Sequence, residues 1–170
     1  MEQAAAIKAS YRPTFGSLLS FTADQLTESL DHVEHPDTCV IVHLMEPHLQ
    51  ECAMLNAVLS NLARKMVHNK FIKVSASDAE VASLSEDVLP TLVVFRNGEQ
   101  IHTWVRFLDQ IGGVLNEETV TAWLLKEGVL ILDDEQREKL MTMHESRIEK
   151  FKRAQLIDPD LMRKLTEILK

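Results

Sequence analysis

Two thiols, seven imidazoles and a tryptophan–arginine pair are the groups in this chain with chemistry to offer. Cys52 stands near the opening of a long helix. A helix N-terminus favours thiolate, so Cys52 reads either as a redox or peroxide sensor or as a small buried helix residue. Cys39 lies inside an apolar run and reads as core. The sequence sets no distance between the two, so no disulfide is assigned. His32 and His35 are three apart, and His43 and His48 flank a strand-to-helix turn. Neither pair joins a Cys or carboxylate cluster at zinc spacing, so no metal or other cofactor is expected. Trp104 and Arg106 share one phase of a strand, read as the solvent phase, and Arg106, Asp109 and Gln110 run on into the next loop. Trp and Arg are enriched at the energetic centres of protein interfaces, which makes these four the candidate partner-binding residues. A solvated strand face explains them as well. No Gly-rich phosphate loop, nucleophile elbow or paired acid–base motif stands beside them.

The elements that position these groups alternate. Phe15–Phe21 reads as a short strand. Thr22 and Gln25 form a capping box for a helix carrying Leu26, Leu30 and Val33, and Pro36-Asp37 breaks the chain. Cys39–Leu44 is a continuous apolar run of the kind covered on both faces. Pro47 begins a long helix whose Leu55, Val58, Leu59, Leu62 and Met66 make one core-facing stripe. Phe71–Val74 is a strand, and Ser77 with Glu80 caps a short helix through Val81 and Leu84. Leu92–Phe95 is another buried strand. Asn97-Gly98 then turns the chain, since both residues accept positive φ. On the returning strand Ile101, Thr103 and Val105 alternate with Gln100, His102, Trp104 and Arg106. Gly112-Gly113 marks a loop, Asn116 caps a helix through Val120, Trp123 and Leu124, and Gly128 stops it. Beyond Asp133 the texture is helical and charged. Leu140, Met141, His144, Ile148 and Phe151 form one stripe. Asp158-Pro159 opens a second helix with Leu161, Leu165, Ile168 and Leu169. These stripes read as a helical hairpin on the body or as a docking helix for a partner.

The chain's 170 residues suit one domain with an appendage, enough to bury a core without metal or disulfide. The longest apolar runs are about six residues against the roughly 18 of a membrane span. Met1–Ser10 lacks the apolar core of a secretory signal, and two cysteines make no disulfide scaffold, so a cytoplasmic location is expected. Residues 133–170 hold nine acids and nine bases, which leaves the whole net charge of −8 on residues 1–132. An acidic body without a basic stripe argues against nucleic acid and anionic membranes.

That order of elements, with Pro90 before the third buried strand and Asn97-Gly98 after it, resembles thioredoxin. The resemblance implies a structural cis-proline at Pro90, facing the position of the C-x-x-C dithiol, where this chain has Leu49-Gln50-Glu51-Cys52. A dithiol exchanger needs one thiolate to attack and a second to resolve. Leu49 has no thiol, so Leu49 and Cys52 mark a degenerate redox position and no enzyme is expected.

A more specific resemblance is to the phosducin family, carried by Phe15-Gly16-Ser17, Cys52-Ala-Met-Leu-Asn56, Lys70-Phe-Ile-Lys73 and Val88-Leu-Pro-Thr91. It continues in Asn97-Gly98-Glu99, Val105-Arg-Phe-Leu-Asp-Gln110 and Trp123-Leu-Leu-Lys-Glu-Gly-Val129, covering about residues 14–131. It implies an α/β fold, a thioredoxin-like mixed sheet flanked by helices with a C-terminal helical extension. The divisions would be a segment over 1–13, the domain over 14–132 and the extension over 133–170. It also implies a non-catalytic regulator or co-chaperone, a protein of signal-transduction regulation or protein folding. Its partners would be G-protein βγ subunits, the cytosolic chaperonin, or actin and tubulin as folding clients. The family's N-terminal helical domain, which lies across the β-propeller face, has no counterpart in Met1–Arg12. The chain therefore reads as an excised domain or a reduced member.

Overall fold

The computed structural model describes residues 12–78 and 85–157, with Arg163, Glu167 and Ile168. The expected helix opened by Ser77 and Glu80 lies outside the described residues beyond Asp78, as does the second C-terminal helix opened by Asp158-Pro159 except for Arg163, Glu167 and Ile168, and so does the side chain of Phe151.

Five strands are described: β1 (Leu18–Ser20), β2 (Cys39–Met45), β3 (Lys70–Ser75), β4 (Thr91–Arg96) and β5 (Glu99–Trp104). They form one sheet in the order β1-β3-β2-β4-β5. β3 runs parallel to β1 and β2, while β4 is antiparallel to β2 and to β5. The central strand β2 is buried on both faces, which is why its sequence is a continuous apolar run. Cys39 and Ile41 face one layer; Val40 and Val42 face the other.

The first layer is covered by α2 (Gln50–Lys65), α3 (Phe107–Gln110) and α4 (Glu117–Lys126). Leu55, Leu59 and Leu62 of α2 are buried there with Phe71, Leu92, Phe107, Val120 and Leu124. Val58 and Met66, the other members of the expected stripe, are only partly buried against this cluster. The helix begins at Gln50 rather than at Pro47, because the Leu49 N–H first closes a turn on the Glu46 carbonyl at 3.1 Å. The opposite face packs Val42, Ile72, Val74 and Val93 against Leu26 of α1 (Ala23–Asp31). The Thr22–Gln25 capping box opens α1 as its sequence implies: the Gln25 N–H donates to the Thr22 hydroxyl at 3.2 Å, and the Thr22 N–H to the Gln25 side chain at 2.9 Å. No residue of α1 is fully buried, so its stripe is a half-covered one.

Two buried polar side chains tie the periphery to the sheet. Asn69 donates to the Val129 carbonyl at 2.7 Å and to the Cys39 carbonyl at 3.3 Å, and accepts from the Ile131 N–H at 2.8 Å. Lys70 is nearly buried, and desolvating its ammonium is offset by Glu34 at 2.9 Å and the Ser29 hydroxyl at 2.7 Å. The rings of Phe15 and Phe21, each 5.6 Å from the nitrogen, complete its surroundings.

The phase of β5 differs from the sequence expectation. Phe95 pairs with Gln100 but Val94 pairs with His102, so Ile101 is an extra residue in a β-bulge. One added residue turns the rest of the strand over. Trp104, expected on the solvent face, is 8% exposed and lies in the first core layer, while Val105, expected inside, is 42% exposed. Trp104 stacks on His102 at 5.1 Å and meets the edge of Trp123 at 5.8 Å. The strand also ends at Trp104, two residues short of Arg106, and the expected loop after it holds the single turn α3.

The chain divides into two compact units, Met1–Ile131 and Leu132–Lys170. Within the second, α5 (Asp134–Ile157) is opened by a reciprocal pair of hydrogen bonds between Asp133 and Gln136, and Leu140, Met141, Met143 and Ile148 are exposed on it.

Candidate functional site

The start of α2 and the segment before β4 meet at one end of the sheet. Leu49 is the N-cap of α2 and makes no side-chain cap; it packs with Met45, Cys52, Ala76 and Leu89. Cys52 is wholly buried in that cluster. Burial pushes its thiol up, and Glu51, Glu46 and Glu86 push the same way, against a hydrogen bond with the Glu46 backbone. Proximity to a helix N-terminus therefore does not yield a thiolate here, and a thiol that stays protonated and covered is a poor nucleophile. Cys39 is also a free, buried thiol, and the Arg96 guanidinium donates to its sulfur at 3.2 Å.

The Leu89–Pro90 peptide is cis. The Pro90 carbonyl accepts from the Phe107 N–H at 2.8 Å. Arg106 directs that arrangement. It is a non-glycine residue at φ +48°, a left-handed conformation that costs free energy and has to be held by its surroundings. Its N–H donates to the Val88 carbonyl at 3.0 Å, its Nη1 to the Asp87 carbonyl at 2.6 Å and its Nε to Asp109 at 2.8 Å. The hydrogen bond and charge of Asp109, then Glu51 and Asp87, hold the guanidinium proton more firmly than usual. Gln110 donates to the Val105 carbonyl at 3.3 Å. The structure thus brings Arg106, Asp109 and Gln110 into one turn, tied to Pro90 through the Phe107 N–H, with Val105 exposed beside them. Trp104 is not on that surface; it supports the turn from within the core.

Four of the histidines make side-chain hydrogen bonds, and His68 is one of them, its Nδ1 lying 3.3 Å from the Pro13 carbonyl. His48 bonds Glu86 at 2.6 Å, and the Asp37 N–H donates to His35. His43 is fully buried between β2 and α2, where its Nδ1–H donates to Asn56 at 2.8 Å while Nε2 has no partner. Burial first, and Lys73 in addition, push it down to about 4 despite the bond to Asn56. Among the described residues no three His, Cys, Asp or Glu side chains gather as a metal site would need. No helix there is long and apolar enough to cross a membrane.

One further feature has no signal in the sequence. Gln110, Ile111, Thr119, Ala122, Trp123 and Lys126 line an open groove of about 310 Å³ between α3 and α4. The sequence marks Trp123 as a helix residue, and its spacing gives no sign that a groove lies beside it.

Comparison with known proteins agrees with this architecture. The family model described as Phosducin matches residues 1–150. Phosducin of Bos taurus is 30% identical over 125 residues, covering 72% of this chain and 51% of that protein. Phosducin-like protein 1 of Dictyostelium discoideum is 28% identical over 66% of this chain and 35% of its own length. Phosducin-like protein 3 of the same organism is 27% identical over 89% of this chain and 82% of its own. The chain thus spans about half or less of the first two relatives. Among solved structures, a thioredoxin f2 of Chlamydomonas reinhardtii superposes with TM-score 0.51 at 19% identity, over 67% of this chain and 99% of that one. A mutant thioredoxin of Halobacterium salinarum gives 0.50 at 21%, over 73% and 98%. At such identity the likeness establishes the fold, which is thioredoxin-like.

Proposed function

The chain belongs to the phosducin family, and from that premise we propose that it is a non-catalytic binding module acting on G-protein βγ subunits together with the cytosolic chaperonin. The observation that carries this reading is the state of the degenerate redox position. Leu49 offers no attacking sulfur, and Cys52 is buried with its thiol pushed up. Disulfide exchange needs an accessible thiolate and a second thiol to resolve the product. The fold keeps the sheet, the cis-proline and the turn at Arg106 while lacking that chemistry, which supports a scaffold used for contact.

The binding domain in this reading is residues 14–132, with 1–13 as a leading segment and 133–170 as a helical extension, and its place is the cytoplasm. Arg106, Asp109 and Gln110 form the contact surface, with Trp104 as its internal support. A rigid turn holding an arginine suits a partner contact because little freedom is lost on docking.

Capture experiments with the purified chain and native cytosol test the proposal. G-protein βγ subunits or chaperonin subunits should be retained by the wild type and depleted with Arg106→Glu. Recovery of neither contradicts the reading. Recovery of the chaperonin with actin or tubulin in place of βγ would keep the co-chaperone role and change the client.

A further inference from the structure

We propose that α5 is a self-association element, pairing antiparallel with α5 of a second copy of this chain. The proposal is independent of the partners named above. Every residue of α5 from Arg137 to Lys150 is exposed, among them Leu140 at 43%, Met141 at 59% and Ile148 at 42%. Arg137, Met141, His144 and Ile148 recur at intervals of four, three and four residues, with Leu140 beside them. That is the spacing by which two helices keep one seam in contact. Helices in proteins draw most of their stability from packing such a face, and a second helix supplies the packing.

The order of charges along α5 selects the occupant. Residues 134–145 hold four acids and two bases, whereas residues 146–157 hold four bases and one acid. Laid antiparallel, the acidic half of each copy meets the basic half of the other; laid parallel, like halves would meet. With His144 opposite Ile148 of the second copy, Glu138 of each copy lies beside Lys152 of the other, one such pair at each end of the seam. A uniformly acidic or uniformly basic partner helix would be repelled by one half of α5. The net −8 of residues 1–132 asks for the same orientation. An antiparallel pair of 24-residue helices joins the two bodies at opposite ends, about 36 Å apart, several times the screening length of about 8 Å. Residues 158–170 are a poorer cover. Turned back as a helix they would span about 20 Å, whereas Met141 lies about 24 Å before Ile157, and Ile168 is 78% exposed.

Sedimentation equilibrium of the full chain at physiological salt is the test. A reversible monomer–dimer equilibrium is expected, weakened about tenfold or more by Ile148→Glu. The triple variant Lys150→Glu, Lys152→Glu, Arg153→Glu should weaken it as well, and so should Glu135→Lys, Glu138→Lys, Glu145→Lys. An equimolar mixture of the two triple variants should recover the dimer, which variants that had merely lost their helix could not do. Orientation is read from a spin label on Arg137→Cys, the two native thiols being buried. The labels should lie about 27 Å apart along the antiparallel pair, against roughly 10–15 Å in a parallel one. A chain that stays monomeric up to about 0.5 mM overturns the proposal, whether residues 158–170 or nothing at all covers the seam. So does a dimer indifferent to Ile148→Glu, a mixture that recovers no dimer, or a short distance between the labels.

Discussion

His43 carries the largest electrostatic cost visible at a single residue. Its imidazole is sealed between β2 and α2, and only the neutral form fits there. An unfolded imidazole titrates near 6.5, the buried one at about 4. Between those values the unfolded chain binds the extra proton, so acid favours unfolding. The stability His43 contributes is complete above about pH 6.5 and is lost as pH falls toward about 4. Denaturant titrations should show His43 accounting for a loss of about 2 kcal/mol between pH 7 and pH 5. His43→Leu should flatten the pH dependence by that amount, whatever it does to stability at pH 7. Equal slopes for the two proteins would contradict the assignment. The same enclosure governs Cys52. A residue type at a helix start could be read from sequence, but the walls of Met45, Ala76 and Leu89 that keep its thiol protonated come from three distant segments.

The hairpin shows how far element-level reading reaches. Asn97 and Gly98 both adopt positive φ, 52° and 77°, as the Asn-Gly pair requires. A β-carbon on Gly98 would in addition lie 3.0 Å from the Leu30 carbonyl oxygen, a backbone atom that cannot swing away. Gly98→Val should therefore cost about 2 kcal/mol in urea unfolding, and an unchanged midpoint would speak against this turn. The capping box at Thr22, the apolar run of β2 and the core stripe of α2 were legible because each is a local pattern. The phase of β5 was not. A bulge at Ile101 depends on the register against β4, and an alternation count cannot register an extra residue. Trp104 was misplaced for that reason alone. Asn69 was invisible for a related reason: its three partners lie 30 to 62 residues away in the chain.

At the scale of the molecule, buried core and net charge sit together in the first unit. Among the described residues every buried hydrophobic side chain precedes Leu130, and residues 1–132 hold the net −8. A chain ending at residue 132 should melt cooperatively with a midpoint close to that of the full chain. A collapse of the transition would show that α5 contributes to the core's stability. Fold class was legible at this scale because the order of strands and helices admits few topologies. Of the proposed contact surface, Arg106, Asp109 and Gln110 lie within five residues of one another and were legible, whereas the burial of Trp104 depends on the register of β5 against β4 and was not. The central claim is that a thioredoxin-like scaffold without its attacking sulfur works by contact and not by thiol chemistry. The most direct test is calorimetric titration of purified G-protein βγ into the wild-type chain and into Cys52→Ala under reducing conditions. The account predicts saturable binding with the same Kd for both; absence of binding, or binding that disappears with the Cys52 thiol, would contradict it.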